Sequence, residues 1–178
     1  PIQYYYNWPG RYKPFIHQKE TAAFLTTHKK CIVLNDMGTG KTEAALWAAD
    51  YLMSIGAIKR VLVLSPLSTM ISTWGDSIFA SFTSRSYVIL HGTAKRRKEM
   101  LQTDADFYII NHDGFEIIAK DVLDKFDLVI VDEAAALRNP STDRYKAVRR
   151  FMDASPNCRL WLMTGTPTPN EPTDAWAL

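Results

Sequence analysis

The chain has little of what would place it in a specialised class. Only two cysteines occur among 178 residues, Cys31 and Cys158, and each opens an apolar run. Neither has the spacing of a metal ligand, so a disulfide framework and a cysteine-held metal find no support, and two buried free thiols are expected. An excess of one charge is missing too: 21 Lys+Arg face 19 Asp+Glu, a formal net charge of +2. That total neither demands nor excludes nucleic acid, and only local clustering can argue for it. No apolar run approaches a membrane span, and no signal-peptide pattern is present. A soluble protein of a reducing, intracellular compartment is therefore expected, without a membrane partner. Internal repeats and low-complexity tracts are absent. The first residue is Pro1, not methionine, and Asp174-Ala-Trp-Ala-Leu178 reads as the middle of a helix. An excised piece of a longer protein is expected. With 47% apolar and 22% charged residues, the rest is an ordinary globular balance, enough for one α/β domain with a real core.

The apolar residues are laid out in short continuous runs separated by helical spacing. Strands are expected at Cys31 to Leu34, Val61 to Leu64, Tyr87 to Leu90, Phe107 to Ile110, Leu128 to Val131 and Leu160 to Met163. Between them, helices are expected from near Phe15 through Leu25, from Lys41 to Ser54 with Gly56 as a stop, and from Leu67 to Phe82. A basic helix capped by Thr93, a short helix ending near Ala119, and one from Ser141 to Met152 complete the set. Pro1 to Pro14 is rich in aromatics without periodicity and reads as packing on the domain edge. Unbroken apolar strands alternating with helices are the mark of a parallel sheet covered on both faces. The polar motifs fall at the ends of those strands, where ligands sit in such sheets.

The first of these motifs is Asp36-Met-Gly-Thr-Gly-Lys-Thr42. Gly38 and Gly40 let the backbone turn tightly enough for its N–H groups to face an anion. The helix that starts here adds a partial positive charge. Lys41 is placed to reach the β- and γ-phosphates of a nucleotide, and the Thr42 hydroxyl to ligate Mg²⁺. The strict phosphate-loop pattern would have glycine where Asn35 stands; the plain alternative is an ordinary glycine corner. The second motif is Leu128-Val-Ile-Val-Asp132-Glu133, an apolar strand that delivers two adjacent carboxylates. Neighbouring strand residues point to opposite sides, so the two acids can take two tasks. Asp132 suits Mg²⁺ and Glu133 suits the proton of an attacking water. Taken with Lys41, Glu133 makes up the candidate catalytic pair. Lys95-Arg96-Arg97-Lys98 is the main basic run, read either as a solvated helix face or as a contact to a nucleic-acid backbone. Arg144, Lys146, Arg149 and Arg150 read as surface. His28 and His112 are not read as metal ligands, and Trp47 and Trp74 read as core or interface.

Together these residues resemble a known group. Asp36 to Thr42, Asp132-Glu133-Ala134 and Leu162-Met-Thr-Gly-Thr-Pro167 look like motifs I, II and III of superfamily 2 helicases, and of the Snf2 family in particular. Its motif I commonly reads Asp-Met-Gly-x-Gly-Lys-Thr, which accounts for Asn35. Pro14 to Gln18 resembles the glutamine motif, Leu64 to Ser68 with Trp74 motif Ia, His91-Gly92 motif Ib, and Ile110 to His112 the segment after it. Leu137-Arg138-Asn139, Asn170, Pro172 and Trp176 also fit. The resemblance implies a RecA-like P-loop NTPase fold, α/β, with a mainly parallel central sheet and helices on both faces. It implies that residues 1–178 are the first of two lobes, with ATP and Mg²⁺ bound between them, in a motor that tracks double-stranded DNA. It further implies that His17, Gln18, Met37, Gly38, Thr39, Gly40, Lys41 and Thr42 hold the nucleotide, and that Thr42 and Asp132 hold the metal. Thr164, Gly165 and Thr166 would couple nucleotide state to DNA. Pro66, Leu67, Ser68, His91, Gly92, Asn111 and His112 would touch the DNA backbone, which suits a motor indifferent to sequence. One departure stands out: Ala135 replaces the usual motif II histidine, which links the ATP site to motif III. Two alternatives stay open, a nucleotide-binding regulatory module without motor activity and a true unwinding helicase of the same superfamily. The isolated lobe is expected to be monomeric and weakly active, and the compact spacing of the motifs leads to the expectation of a microbial or viral source.

Overall fold

The computed structural model describes residues 1–35 and 38–165. Its centre is a sheet of six strands: β1 (Lys30–Leu34), β2 (Val61–Ser65), β3 (Tyr87–Ile89), β4 (Phe107–Asn111), β5 (Leu128–Asp132) and β6 (Arg159–Thr164). They lie in the order β1-β6-β5-β2-β4-β3, and every neighbouring pair is parallel. Alternation along each strand divides the core in two. Val61, Val63, Phe107, Ile109, Leu128, Ile130, Trp161 and Met163 face one side. Leu62, Leu64, Tyr108, Ile110, Val129, Val131 and Leu162 face the other. Burial on both faces is why β2 and β5 read as unbroken apolar runs.

The helices cover these faces. On the first lie α1 (Ile2–Tyr5), α2 (Ile16–Thr27), α3 (Lys41–Ser54) and α4 (Asp76–Ser81), with Leu25, Leu46, Trp47, Leu52 and Ile78 in that core. On the second lie α6 (His112–Ile118) and α7 (Asp143–Ala154), which supply Phe115, Ile118, Val148 and Phe151. The basic helix α5 (Ala94–Met100) buries none of its own residues and is capped by Thr93 Oγ1, which accepts from Arg96 N. The aromatic start packs as expected on an edge. Trp8 meets Trp47 and Tyr6 edge-on, and Trp47 Nε1 donates to Pro9 O at 2.7 Å.

Two helix expectations need correction. The stretch Leu67 to Phe82 is not one α-helix: a turn at Pro66 leads into a π-helical segment, Met70–Gly75, and only then into α4. The helix expected to start at Ser141 starts instead after Thr142, whose Oγ1 accepts from Tyr145 N. Ser141 is taken by Asn139, to which its N and Oγ both donate. Cys31 and Cys158 are free. Burial pushes their thiols up to about 11 and about 12, so both are inert at neutral pH. Among the described residues no helix is long and apolar enough to cross a membrane.

Candidate nucleotide-binding site

Because all strands are parallel, their carboxyl ends form one rim. Pairing sets Leu34 beside Thr164, Met163 beside Asp132, and Ser65 beside Asn111. The rim thus has a β1-β6-β5 half carrying Gly38 to Thr42, Thr164-Gly165 and Asp132-Glu133, and a β2-β4-β3 half carrying Pro66 to Ser68, Asn111 and His91-Gly92.

The glycine turn stands on the first half. Gly38 and Gly40 adopt φ of +75° and +74°, the left-handed region that side chains disfavour. Gly40 caps α3, whose first bond runs from Ala44 N to Gly40 O. Helix α2 braces the turn from outside. His17 Nε2 donates to Thr39 O at 3.0 Å, and Gln18 Nε2 to Gly40 O at 3.4 Å. Gln18 Oε1 accepts from Phe15 N at 2.8 Å. A Cβ on Gly40 would run into the Gln18 amide, so glycine here serves a close approach as well as a turn. Lys41 Nζ donates to Asn35 O at 2.8 Å, which folds the side chain back over its own loop. Thr42 is half-buried at the head of α3. Met37 lies outside the described residues.

Asp132 ends β5 and is 8% exposed. Its Oδ2 accepts from Trp74 Nε1 at 2.9 Å and its Oδ1 from Glu133 N at 3.0 Å. Its carbonyl accepts from His112 Nε2 at 2.7 Å, so that nitrogen carries the hydrogen. Burial holds the His112 pKa below its usual 6.5, and nearby Arg144 acts in the same direction. Among the described residues no lysine or arginine pairs with Asp132. Glu133 has φ +52°, strain of order 1–3 kcal/mol for a side-chain-bearing residue. Thr164 is fully buried on β6, between β1 and β5, and Gly165 is half-buried after it. Thr166 lies outside the described residues. Ala135 contributes a methyl group and no polar atom.

On the second half, Leu67, Ser68, His91 and Gly92 are exposed, while Pro66 and Asn111 are half-buried. His112 departs from the outward position expected of a DNA contact: it is 8% exposed and turned in toward β5. The basic run splits. Lys98 pairs with Asp121 at 3.1 Å, Arg97 is tucked against Gly114, and Lys95 and Arg96 stay exposed. Arg144 and Arg149 pair with Asp113 and Asp153.

A cavity of about 640 Å³ opens beside the glycine turn, lined by Tyr12, Phe15, Gln18, Glu43, Trp47 and Asp76 among others. Helix α3, which lines it with Glu43 and Trp47, also holds a network that sequence reasoning missed. Asp50 on α3 accepts from Tyr6 Oη and Arg85 Nε, each at 2.5 Å. Burial first, and then the bond to Asp50, push the Tyr6 hydroxyl above its usual range. The available signal was an aspartate inside an apolar helical run. Trp74 also carried a signal, since a buried indole N–H needs an acceptor.

A left-handed glycine turn opening a helix after an edge strand, with a buried aspartate two strands along the same rim, belongs to a P-loop domain of RecA-like fold. The solved SWI2/SNF2 ATPase core of Sulfolobus solfataricus, in complex with double-stranded DNA, shares that fold at a TM-score of 0.79 and 20% identity, over 95% of this chain and 35% of that one. The family described as SNF2-related domain matches residues 17–178, and the chain belongs to it. Protein p41 of Acyrthosiphon pisum secondary endosymbiont phage 1 is 31% identical over 83% of this chain and 34% of its own length. The ATP-dependent DNA helicase DDM1 of Arabidopsis thaliana is 30% identical over 83% of this chain and 20% of its own length. The chain thus spans about a third or less of these relatives.

Proposed function

We propose that the chain is the ATP-binding first lobe of a Snf2-type, DNA-dependent ATPase that translocates on duplex DNA, completed by a second RecA-like lobe. The observation that carries the reading is the buried Asp132 carboxylate, without a cationic partner among the described residues, on the rim that also bears the glycine turn. A carboxylate held this way is matched to a cation that arrives with a ligand. Among the described residues no three metal-binding side chains gather. Mg²⁺ does not need them: it takes one or two carboxylates together with substrate phosphates and water. The Asp132 carboxylate and the Thr42 hydroxyl are hard oxygen donors of the right kind, so the residues fit.

In this reading Gly38 to Thr42 cradle the phosphates through backbone N–H groups, and Lys41 leaves Asn35 O to reach the β- and γ-oxygens. Bound Mg²⁺ neutralises charge on the phosphates. Glu133 orients the attacking water and takes its proton. The cavity beside Gln18 has the size for a nucleoside, with the Gln18 amide at its edge to read adenine and His17 beside it. Thr164 to Thr166 pass nucleotide state onward. Pro66 to Ser68, His91-Gly92 and Asn111 stand together on the other half of the rim and contact phosphates of one DNA strand. The relatives' names support ATP use, and the DNA complex of the Sulfolobus core supports a duplex.

The test is ATP hydrolysis by the full-length protein with linear duplex DNA, single strands or RNA, beside Lys41→Ala and Glu133→Gln. Severalfold stimulation by duplex, lost in both variants, is expected. Hydrolysis indifferent to nucleic acid would leave a regulatory nucleotide-binding module, and a preference for single strands an unwinding helicase.

A further inference from the structure

The two halves of the rim meet at the boundary between β5 and β2, and two side chains cross it. Trp74 comes from the segment after β2, directly behind Pro66 to Ser68, and its indole N–H ends on Asp132 Oδ2 at 2.9 Å. His112 follows Asn111 at the end of β4, and its ring N–H ends on the Asp132 carbonyl at 2.7 Å. Both are enclosed, at 0% and 8% exposure. Trp74 is thereby tied to the loop in which Leu67 and Ser68 are exposed, and His112, the first residue of α6, to half-buried Asn111 at the end of β4.

The geometry of the Trp74 segment is itself unusual. Thr69 O accepts from both Thr73 N at 3.1 Å and Trp74 N at 3.2 Å, the wide turn of a π-helix. Such turns are rare and concentrate at functional sites, because the extra residue re-aims a side chain that a regular helix would point elsewhere. Here the re-aimed side chain is the one that meets Asp132. Trp74 and Glu133 N together hold both carboxylate oxygens, so the carboxylate plane is set by partners from two different strand ends.

We propose that Trp74 and His112 are positioning residues for Asp132, and that they join contact at the loop after β2 and at the junction of β4 with α6 to the nucleotide end of the sheet. The inference rests on the functional reading above. It identifies which side chains carry the connection, by direct hydrogen bonds onto one residue. A shift of the Pro66 to Ser68 loop moves the π-helical turn and with it the donor on Oδ2. A shift at Asn111 moves the donor on the carbonyl. By reciprocity, loading the nucleotide end must change DNA affinity by the factor through which DNA changes nucleotide affinity.

The experiment uses the full-length protein with Trp74→Phe and His112→Ala, and Trp161→Phe as a matched control. Trp161 is equally buried, and its Nε1 donates to His28 O at 3.1 Å, remote from the rim. Two quantities are read at equilibrium: the Mg²⁺ concentration that half-saturates binding of a fluorescent ATP analogue, and the ratio of duplex-DNA affinities with and without Mg²⁺ and that analogue. Trp74→Phe should shift the Mg²⁺ midpoint at least about threefold, and both rim variants should bring the affinity ratio to within about twofold of one. Trp161→Phe should leave both readings at the wild-type value. If the wild type shows coupling and both rim variants keep it, with an unmoved midpoint, the proposal is overturned. If Trp74→Phe does not fold, the affinity ratio of His112→Ala decides alone. A wild type that binds the analogue without Mg²⁺ dependence, or without any effect on DNA, refutes the functional reading and takes this proposal with it.

Discussion

Two aspartates in this molecule are buried to the same degree and meet different partners. Asp50 and Asp132 are each 8% exposed, and each accepts a hydrogen bond from an aromatic side chain, Tyr6 Oη for one and Trp74 Nε1 for the other. Asp50 also pairs with Arg85, at 2.5 Å, inside α3 and its neighbours. Asp132 stands on the rim with two N–H donors on its carboxylate and, among the described residues, no Arg or Lys pairing with it. Leaving a buried carboxylate without its cation costs several kcal/mol. At Asp50 the chain supplies the cation and closes a structural contact that ties the N-terminal arm and Arg85 to the helix of the glycine turn. At Asp132 the carboxylate is oriented, and on the proposed function its cation arrives with the nucleotide. Burial alone therefore does not distinguish the two acids; a protein cation stands at Asp50 and, among the described residues, none at Asp132.

The comparison breaks most sharply at its functional member. Asp132→Asn should reduce ATP turnover by about 100-fold or more, since several kcal/mol of charge stabilisation go with the metal, and should abolish the Mg²⁺ dependence of nucleotide binding. The same variant should lose less folding stability than Asp50→Asn, since only one N–H donor on the carboxylate goes unsatisfied. Asp50→Asn should do the reverse: it strands the Arg85 guanidinium and lowers folding stability in urea by about 3 kcal/mol, with Mg²⁺ dependence intact. A lower melting point for Asp132→Asn than for Asp50→Asn would invalidate the distinction. Adding Arg85→Gln to Asp50→Asn should cost about 1 kcal/mol or more less than the sum of the single changes, because the partners are in contact.

Tyr6→Phe probes the other Asp50 partner, and about 1 kcal/mol is expected. It carries a pH signature. The Tyr6 hydroxyl is held protonated in the folded chain beyond its usual 10.0, so above that pH the unfolded chain releases a proton that the folded chain keeps. Stability contributed by Tyr6 is thus complete below about pH 10 and falls as pH rises further. Alkaline unfolding curves should lose that component in Tyr6→Phe. At the small end, Lys98→Ala removes an ion pair whose side chains are 51% and 44% exposed. It should change stability by less than about 0.5 kcal/mol, and a melting curve checks it.

Much of this could be read before folding was considered. Helix α3 runs Lys41–Ser54 as its periodicity indicates, because left-handed glycines at 40 and 56 bracket it. The inner strands β2, β4 and β5 were visible as apolar runs because both faces of the sheet are covered there. Other features depend on contacts that periodicity does not encode. A π-helical turn and an α-helix have nearly the same apolar spacing, so Met70 and Trp74 fit either until Thr69 O takes its donors. Ser141 and Thr142 are equally good caps in isolation, and Asn139 settles the choice by occupying Ser141. His112 at the end of an apolar strand is equally suited to solvent or interior, and the carbonyl of Asp132 draws it inward.

Local chemistry was sufficient for the glycine turn, the alternation of apolar runs with helices, and the delivery of carboxylates to a strand end, because each depends on backbone freedom or burial within a few neighbouring residues. The order of the strands was not available that way. Long-range pairing placed β6 between β1 and β5, gathered the ends of three strands onto the other half of the rim, and brought Trp74 and His112 to Asp132 across 58 and 20 residues of chain. The role proposed for Asp132 rests on those partners and on which cations stand near it, and such neighbours exist only once the sheet is assembled.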